Sequence, residues 1–162
     1  MKNVYLLGIG GIGMSAIARY YNAKGYKVSG YDKVASKLTA ELESEGITIH
    51  YEDRPDLMPD AKDTFLVVYT PAIDPEVKEL QKALGGEYKT IKRGFALGEI
   101  AKDQKCIAIS GSHGKTTTST LTAYIIQESG MGCNAFLGGI SKNYNSNLFL
   151  SPTKTIVAEA DE

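Results

Sequence analysis

The stretch VYLLGIGGIGMSAIA, residues 4–18, runs from a continuous apolar segment through four glycines into an apolar helical pattern. Residues 4–9 predict a strand buried on both faces. Met14, Ile17, Ala18 and Tyr21 repeat at helical spacing, and Gly25 ends that helix. Between strand and helix, Gly8-Ile9-Gly10-Gly11-Ile12-Gly13 contains G-x-G-x-x-G. In that position Gly8 permits a tight turn, Gly10 lets backbone approach a pyrophosphate, and Gly13 lets helix and strand pack closely. The phosphate then lies at a helix N-terminus, where N–H groups and the dipole favour an anion. Asp32 closes the next strand, residues 27–31, about 20 residues on, where a ribose-binding acid is expected. The competing reading is a ligand-free glycine turn with Asp32 capping a loop. Motif, placement and acid together favour a nucleotide, without saying which. Read alone, this half is a Rossmann-like, nicotinamide-binding domain.

Working outward, residues 36–45 predict a helix with Leu38 and Leu42 inward, and residues 48–51 and 64–69 predict strands. Pro75 is placed to open a helix carrying Val77, Leu80 and Leu84. Residues 88–92 form a weak strand pattern and residues 95–102 a helix. Strands alternating with helices predict a parallel sheet with helices on both faces. The pattern restarts with KCIAIS (105–110), a glycine turn, a helix over 115–128, and strands over 134–137 and 155–160. A boundary near 102–105 gives two domains, 1–103 and 104–162. The second is short for a doubly wound sheet and stops on a strand, so the chain is expected to be cut off inside it.

Gly111-Ser112-His113-Gly114-Lys115-Thr116-Thr117-Thr118 follows an apolar strand and opens a helix, the position of a phosphate-binding P-loop. The spacing departs from G-x-x-x-x-G-K-[ST], because Ile109 stands at the usual first glycine. The chemistry still fits: backbone N–H groups from Gly111 to Lys115 wrap a β-phosphate, Lys115 reaches the β- and γ-phosphates, and Thr116 offers a hydroxyl to magnesium. A solvated surface lysine is the bland alternative. A cation in a first helical turn is disfavoured by about 0.3–1 kcal/mol, and repeated threonine is poor helix material. Such locally bad choices mark a functional site. His113 either lines that site or fills the loop, and His50 reads as an ordinary surface residue. Glu159-Ala160-Asp161-Glu162 ends an apolar strand, where a carboxylate faces the ligand crevice and completes a magnesium shell.

The balance of 18 basic and 19 acidic residues leaves a net charge of −1, with no electrostatic footprint for nucleic acid or an anionic membrane. The 43% hydrophobic and 23% charged residues exclude a disordered chain. No apolar run is long enough to span a bilayer. The glycine-broken N-terminus lacks a cleavage site, so a signal peptide is rejected. Two cysteines, Cys106 and Cys133, are too few for a zinc site and fit a reduced, cytoplasmic protein. Glycine is in excess, with 17 residues where an average near 7% gives roughly eleven. Its clusters are at 8–13, 111–114 and 138–139.

Two nucleotide sites in one short chain do not suit a dehydrogenase. GIGGIGMSAIA (8–18), SGYD (29–32), GSHGKTTT (111–118), LGG (137–139) and AEADE (158–162) resemble the Mur ligases of peptidoglycan synthesis. The resemblance covers the whole chain. It implies an α/β fold: a Rossmann-like parallel-sheet domain holding a UDP-sugar, then the beginning of a P-loop α/β ATPase domain. It places Gly10, Gly11, Ile12 and Gly13 against the pyrophosphate, and puts Asp32, Thr70 and Arg93 in UDP-site segments. Gly111, Ser112, His113, Gly114, Lys115, Thr116 and Thr117 would bind ATP, with Lys115 catalytic and Thr116 and Glu159 as Mg2+ ligands. G-I-G-G-x-G-M-S favours the branch that joins L-alanine to the lactyl carboxylate of UDP-N-acetylmuramate. The competing branch attaches a murein tripeptide to the same sugar nucleotide. Ser112 stands for a commoner threonine, Tyr69-Thr70-Pro71 for a serine pair, and Leu137 for a polar residue. A closing third domain is expected to lie outside this chain, which alone would not turn over. A non-catalytic nucleotide sensor explains residues 8–32 but not Lys115 to Thr118 or Glu159.

Overall fold

The computed structural model describes residues 3–60 and 65–160, which divide into two compact units, 1–96 and 97–162. The start of the strand expected at Thr64, and Asp161 and Glu162 of the acidic end, lie outside the described residues.

The first unit is a five-stranded parallel sheet of order β3-β2-β1-β4-β5, formed by β1 (Asn3–Leu7), β2 (Lys27–Tyr31), β3 (Thr48–His50), β4 (Phe65–Tyr69) and β5 (Lys89–Lys92). β1 lies between β2 and β4, with Leu6 in register with Gly30 and Val68. Val4, Tyr5, Leu6 and Leu7 are all buried, as a strand covered on both faces requires. The helices are α1 (Ile12–Ala23), α2 (Lys37–Ser44), α3 (Lys78–Lys82) and α4 (Arg93–Ala101). Ser36 and Thr39 form a reciprocal capping box that starts α2. Tyr5, Leu7, Tyr31, Val67 and Leu80 share one core cluster.

Two expectations fail here. Pro75 does not open a helix: Glu76 N–H donates to Asp74 Oδ1 at 2.9 Å and Val77 N–H to the Asp74 carbonyl at 3.1 Å, forming a turn. The helix begins only at Lys78, so Ala83 points inward and Leu84, at 56% exposure, points out. His50 is not a surface residue either. Its side chain is 20% exposed, lies 3.6 Å from the fully buried Glu79 carboxylate, and shares a 2.7 Å hydrogen bond with the Tyr5 hydroxyl. Tyr5 also donates to Glu79, whose other oxygen accepts the Arg54 N–H at 2.9 Å. No periodicity along one strand reports such a contact between β1, β3 and α3.

The second unit has β6 (Lys105–Ile109), α5 (Lys115–Glu128), β7 (Asn134–Ser141), β8 (Ser146–Phe149) and β9 (Thr155–Glu159). Its sheet runs β6-β9-β7-β8, with β6, β9 and β7 parallel. β7 continues to Ser141 and turns into β8, an antiparallel strand that the expected pattern lacked. Ala123 of α5 packs with Ala135, Leu137, Phe149 and Val157 in this unit's core.

Burial, above all, raises the Glu79 carboxyl above its ordinary value, and Asp53 adds to it. The Tyr5 hydroxyl, the Arg54 N–H and His50 oppose the shift. The unfolded chain therefore gives up this proton first, and the group's contribution to stability falls as pH rises through the raised value. Glu79→Gln can keep the geometry, accepting from Arg54 and donating to Tyr5. Its urea-unfolding stability should decline less steeply than wild type as pH rises above the ordinary carboxylate range. The difference in slope is at most about 1.4 kcal/mol per pH unit. Identical slopes would show that Glu79 does not titrate on unfolding.

Candidate functional site

In the first unit, β1 and β4 are neighbours in a sheet whose order reverses at that pair, and a crevice opens beyond their carboxyl ends. Gly8 leaves β1 at φ +80°, and the N–H groups of Gly8 and Ile9 donate to the Tyr31 carbonyl at 2.8 and 3.1 Å. A Cβ on Gly8 would lie 2.5 Å from Thr70 Cγ2, so the two strand ends touch only because residue 8 is glycine. Thr70, Gly8, Gly10, Tyr31, Asp32 and Val77 line a cavity of about 550 Å³ there.

Asp32 has a definite local task. Its Oδ2 accepts the Gly10 N–H at 2.7 Å, its Oδ1 accepts the Val34 N–H at 3.1 Å, and its own N–H donates to the His50 carbonyl at 3.1 Å. The carboxylate thus fastens the glycine loop to the end of β2. A Cβ on Gly10 would come within 2.7 Å of Thr39 Cγ2 and 2.9 Å of Asp32 Oδ2. The protein's own packing therefore demands glycine at position 10. Gly11 is exposed and precedes Ile12, the first residue of α1. Among the described residues no side chain caps α1, and its first turn holds no acid.

Arg93 stands over that first turn. A Cβ on Gly13 would approach Arg93 Nη1 to 2.6 Å, so the missing side chain admits the guanidinium. A cation beside the positive end of a helix is unfavourable by itself and becomes favourable around a shared anion. The structure brings Gly10, Gly11, Ile12, Gly13, Asp32, Thr70 and Arg93 together within one unit.

In the second unit, β6 ends in a loop with Gly111 at φ +142° and Gly114 at φ +76°, and Gly114 is the N-cap of α5. Ser112, His113, Gly114, Thr116 and Thr117 are exposed around this turn. Again no side chain caps the helix and no acid lies in its first turn. Lys115 Nζ donates to the Gly111 carbonyl at 2.8 Å, which holds the ammonium across the loop mouth.

Glu159, at the end of β9, is 9% exposed and engaged on both oxygens. Oε1 accepts the Gly138 N–H at 2.8 Å and the Ser119 hydroxyl at 2.9 Å, while Oε2 accepts the Thr116 hydroxyl at 3.2 Å. A Cβ on Gly138 would fall 2.5 Å from Oε2 and 2.9 Å from both Oε1 and Thr116 Oγ1. The double glycine at 138–139 is thus the floor of a carboxylate cradle. No property of the isolated sequence gave it that role; adjacency to Glu159 across the sheet does.

A hydroxyl and a carboxylate are hard oxygen donors of the kind magnesium takes. Their 3.2 Å separation is close to the edge of an octahedron with bonds of 2.0–2.1 Å, about 3 Å. No group of three or more His, Cys, Asp or Glu side chains placed to hold a metal ion occurs among the described residues. The donor set therefore suits a cation that takes most of its ligands from water and substrate phosphates, as magnesium does.

A family model described as "Mur ligase family, catalytic domain" matches residues 3–105. The UDP-N-acetylmuramate–L-alanine ligase of Porphyromonas gingivalis is 49% identical over the whole of this chain and 36% of its own length. That of Flavobacterium psychrophilum is 52% identical over the whole chain and 37% of its length. The chain thus spans little more than a third of these relatives. Among solved structures, the UDP-N-acetylmuramate-alanine ligase of Thermotoga maritima has a TM-score of 0.88 at 27% identity, over 98% of this chain and 37% of that one. A UDP-N-acetylmuramate:L-alanyl-gamma-D-glutamyl-meso-diaminopimelate ligase from Neisseria meningitides has a TM-score of 0.90 at 25% identity. It covers the whole of this chain and 53% of that one.

Asp32→Ala removes the acceptor of two backbone N–H groups at once. The expected loss is about 1–2 kcal/mol of stability in urea unfolding, the usual cost of a deleted cap. Unchanged stability would mean that the carboxylate serves a ligand alone.

Proposed function

The chain belongs to the Mur ligase family, and we propose that it forms the UDP-sugar-binding domain and the first part of the ATPase domain of an ATP-dependent UDP-N-acetylmuramate–L-alanine ligase. The observation that carries this reading is the cradle of Thr116, Ser119, Gly138 and Glu159 beside a glycine loop ending in Lys115. A dehydrogenase or a nucleotide sensor has no use for it. Fold similarity does not separate the alanine ligases from the tripeptide ligases, with TM-scores of 0.88 and 0.90. Sequence supports the alanine branch, since relatives near 50% identity carry the alanine-ligase name.

In this reading residues 1–103 hold UDP-N-acetylmuramate. Gly10, Gly11, Ile12 and Gly13 present the α1 N-terminus to the pyrophosphate, Arg93 supplies the countercharge, and Asp32 and Thr70 shape the cavity. Residues 104–162 bind ATP through Gly111, Ser112, His113, Gly114, Lys115, Thr116 and Thr117. Both substrates belong to the cytoplasm, where the free thiols of Cys106 and Cys133 fit. No helix among the described residues is long and apolar enough to cross a membrane.

A carboxylate is a poor electrophile. Transfer of the γ-phosphoryl group to a lactyl carboxylate oxygen, with release of ADP, gives an acyl phosphate. The amine of L-alanine attacks its carbonyl carbon, expels phosphate and loses a proton, leaving the amide. Lys115, tethered to the Gly111 carbonyl, exchanges that acceptor for phosphate oxygens and meets charge developing on the transferred group. Thr116 and Glu159 would hold Mg2+, which would supply positive charge to offset the negative charge of the phosphates. Gly138 keeps the carboxylate turned toward Thr116.

In an enzyme of the relatives' full length, Lys115→Ala should lower ligation at least about 10²-fold, as loss of a transition-state charge partner does. Binding of UDP-N-acetylmuramate, measured by calorimetry, should stay near wild type. Glu159→Ala should leave the same binding intact and raise the magnesium needed for half-maximal rate. Near-normal ligation by Lys115→Ala would remove the P-loop assignment and the ligase reading with it.

A further inference from the structure

We propose that Ser119 is a positioning residue that aims the Glu159 carboxylate at the metal, an inference that rests on the ligase reading above. Ser119 lies one turn beyond Thr116 on α5 and is fully buried, while its neighbours Thr117, Thr118 and Leu121 are exposed. A buried serine in a helix interior is a poor choice for stability, because alanine fills nearly the same space without a hydroxyl to satisfy.

The hydroxyl has two acceptors within reach, Glu159 Oε1 at 2.9 Å and the Thr116 carbonyl at 3.1 Å. The second is the ordinary local bond of a helical serine. The first is shorter and ends on a charged oxygen, the stronger kind of acceptor for the single proton. With the Gly138 N–H at 2.8 Å, Oε1 receives two donors, which fills the two lone-pair directions of one carboxylate oxygen. Oε2 accepts the Thr116 hydroxyl, the other proposed metal donor, as its hydrogen bond among the described residues. The carboxylate is therefore asymmetric by construction. One oxygen is engaged by the protein on two sides, and the other is turned to the mouth where Thr116 is exposed. Without the Ser119 hydroxyl the inner oxygen keeps one donor, the Gly138 N–H, and the carboxylate plane can swing about its terminal bond. The oxygen that faces the metal would then be poorly fixed.

The test measures metal affinity in the full-length ligase, using the electron paramagnetic resonance signal of Mn2+ titrated with a non-hydrolysable ATP analogue. Partners that orient a metal ligand are worth about 10- to 100-fold in affinity. Ser119→Ala should therefore weaken Mn2+ about tenfold. It should raise the magnesium needed for half-maximal ligation and leave kcat at saturating magnesium near wild type. Ser119→Cys keeps a polar atom at the same place but donates only weakly, so it should behave as the alanine variant does; this also serves if Ser119→Ala folds poorly. Wild-type Mn2+ affinity in Ser119→Cys would show that packing, not donation, matters, and would overturn the proposal. Glu159→Ala separates the two levels. If it loses Mn2+ while both Ser119 variants keep it, only the positioning role falls. If Glu159→Ala binds Mn2+ as tightly as wild type, the metal reading itself falls.

Discussion

Both units depend on helices that start bare. α1 begins after Gly11 and α5 after Gly114, and among the described residues neither has a side-chain cap or an acid in its first turn. A helix so begun has no side chain at its cap position to accept a hydrogen bond and no first-turn acid to offset the positive end of its dipole. α2 shows what the chain does where no ligand is intended, with Ser36 and Thr39 closing its start reciprocally. In the proposed function the uncapped starts of α1 and α5 receive phosphates, whereas the capped α2 needs no ligand. The glycine turns, the strand ends that bring them to a crevice, and Arg93 over Gly13 all follow from that arrangement.

The glycines carry more than their motif spacing states. The G-x-G-x-x-G pattern assigns Gly10 to close approach of a ligand and Gly13 to helix–strand packing. In the structure Gly10 is hemmed in by Asp32 and Thr39, and Gly13 makes room for a guanidinium. Gly138, outside either motif, leaves space that Glu159 and Thr116 fill. In each case the missing Cβ lets polar side chains reach a site from behind. Substitution there would disturb the first layer of support before any ligand arrived.

Local pattern made the regular elements legible. β2 and α5 have the residues that periodicity and glycine punctuation predict, and the parallel order of the first sheet follows from strand–helix alternation. The misses have two causes, local turns set by side-chain hydrogen bonds or strand pairing and contacts between segments distant in sequence. Asp74 folds its own side chain back onto Glu76 and delays α3 beyond Pro75. β8 is short and exists by pairing with β7. His50 joins Tyr5 and Glu79 from three different elements. Of the candidate site, the loop residues and Glu159 could be read from one dimension. The grip on Glu159 could not, since Gly138 and Ser119 approach it from β7 and α5.

Glu79 and Glu159, the two buried glutamates among the described residues, are held differently by their surroundings. Glu79 is fully buried, and its oxygens accept the Tyr5 hydroxyl and the Arg54 N–H, with His50 close by. Burial raises its pKa and, foremost with the Glu79 bond, that of Tyr5, so the cluster resists ionisation and locks three elements together. Glu159 has one oxygen held as firmly, by a backbone N–H and a serine. Its other oxygen meets the hydroxyl of an exposed threonine that could equally turn to a metal. A carboxylate satisfied on every side has nothing to offer a ligand. One held by two protein donors on one oxygen, with the other on the hydroxyl of an exposed threonine, is fixed in direction and could bind. That asymmetry, rather than burial or charge alone, distinguishes the glutamate proposed as a metal ligand from the structural one.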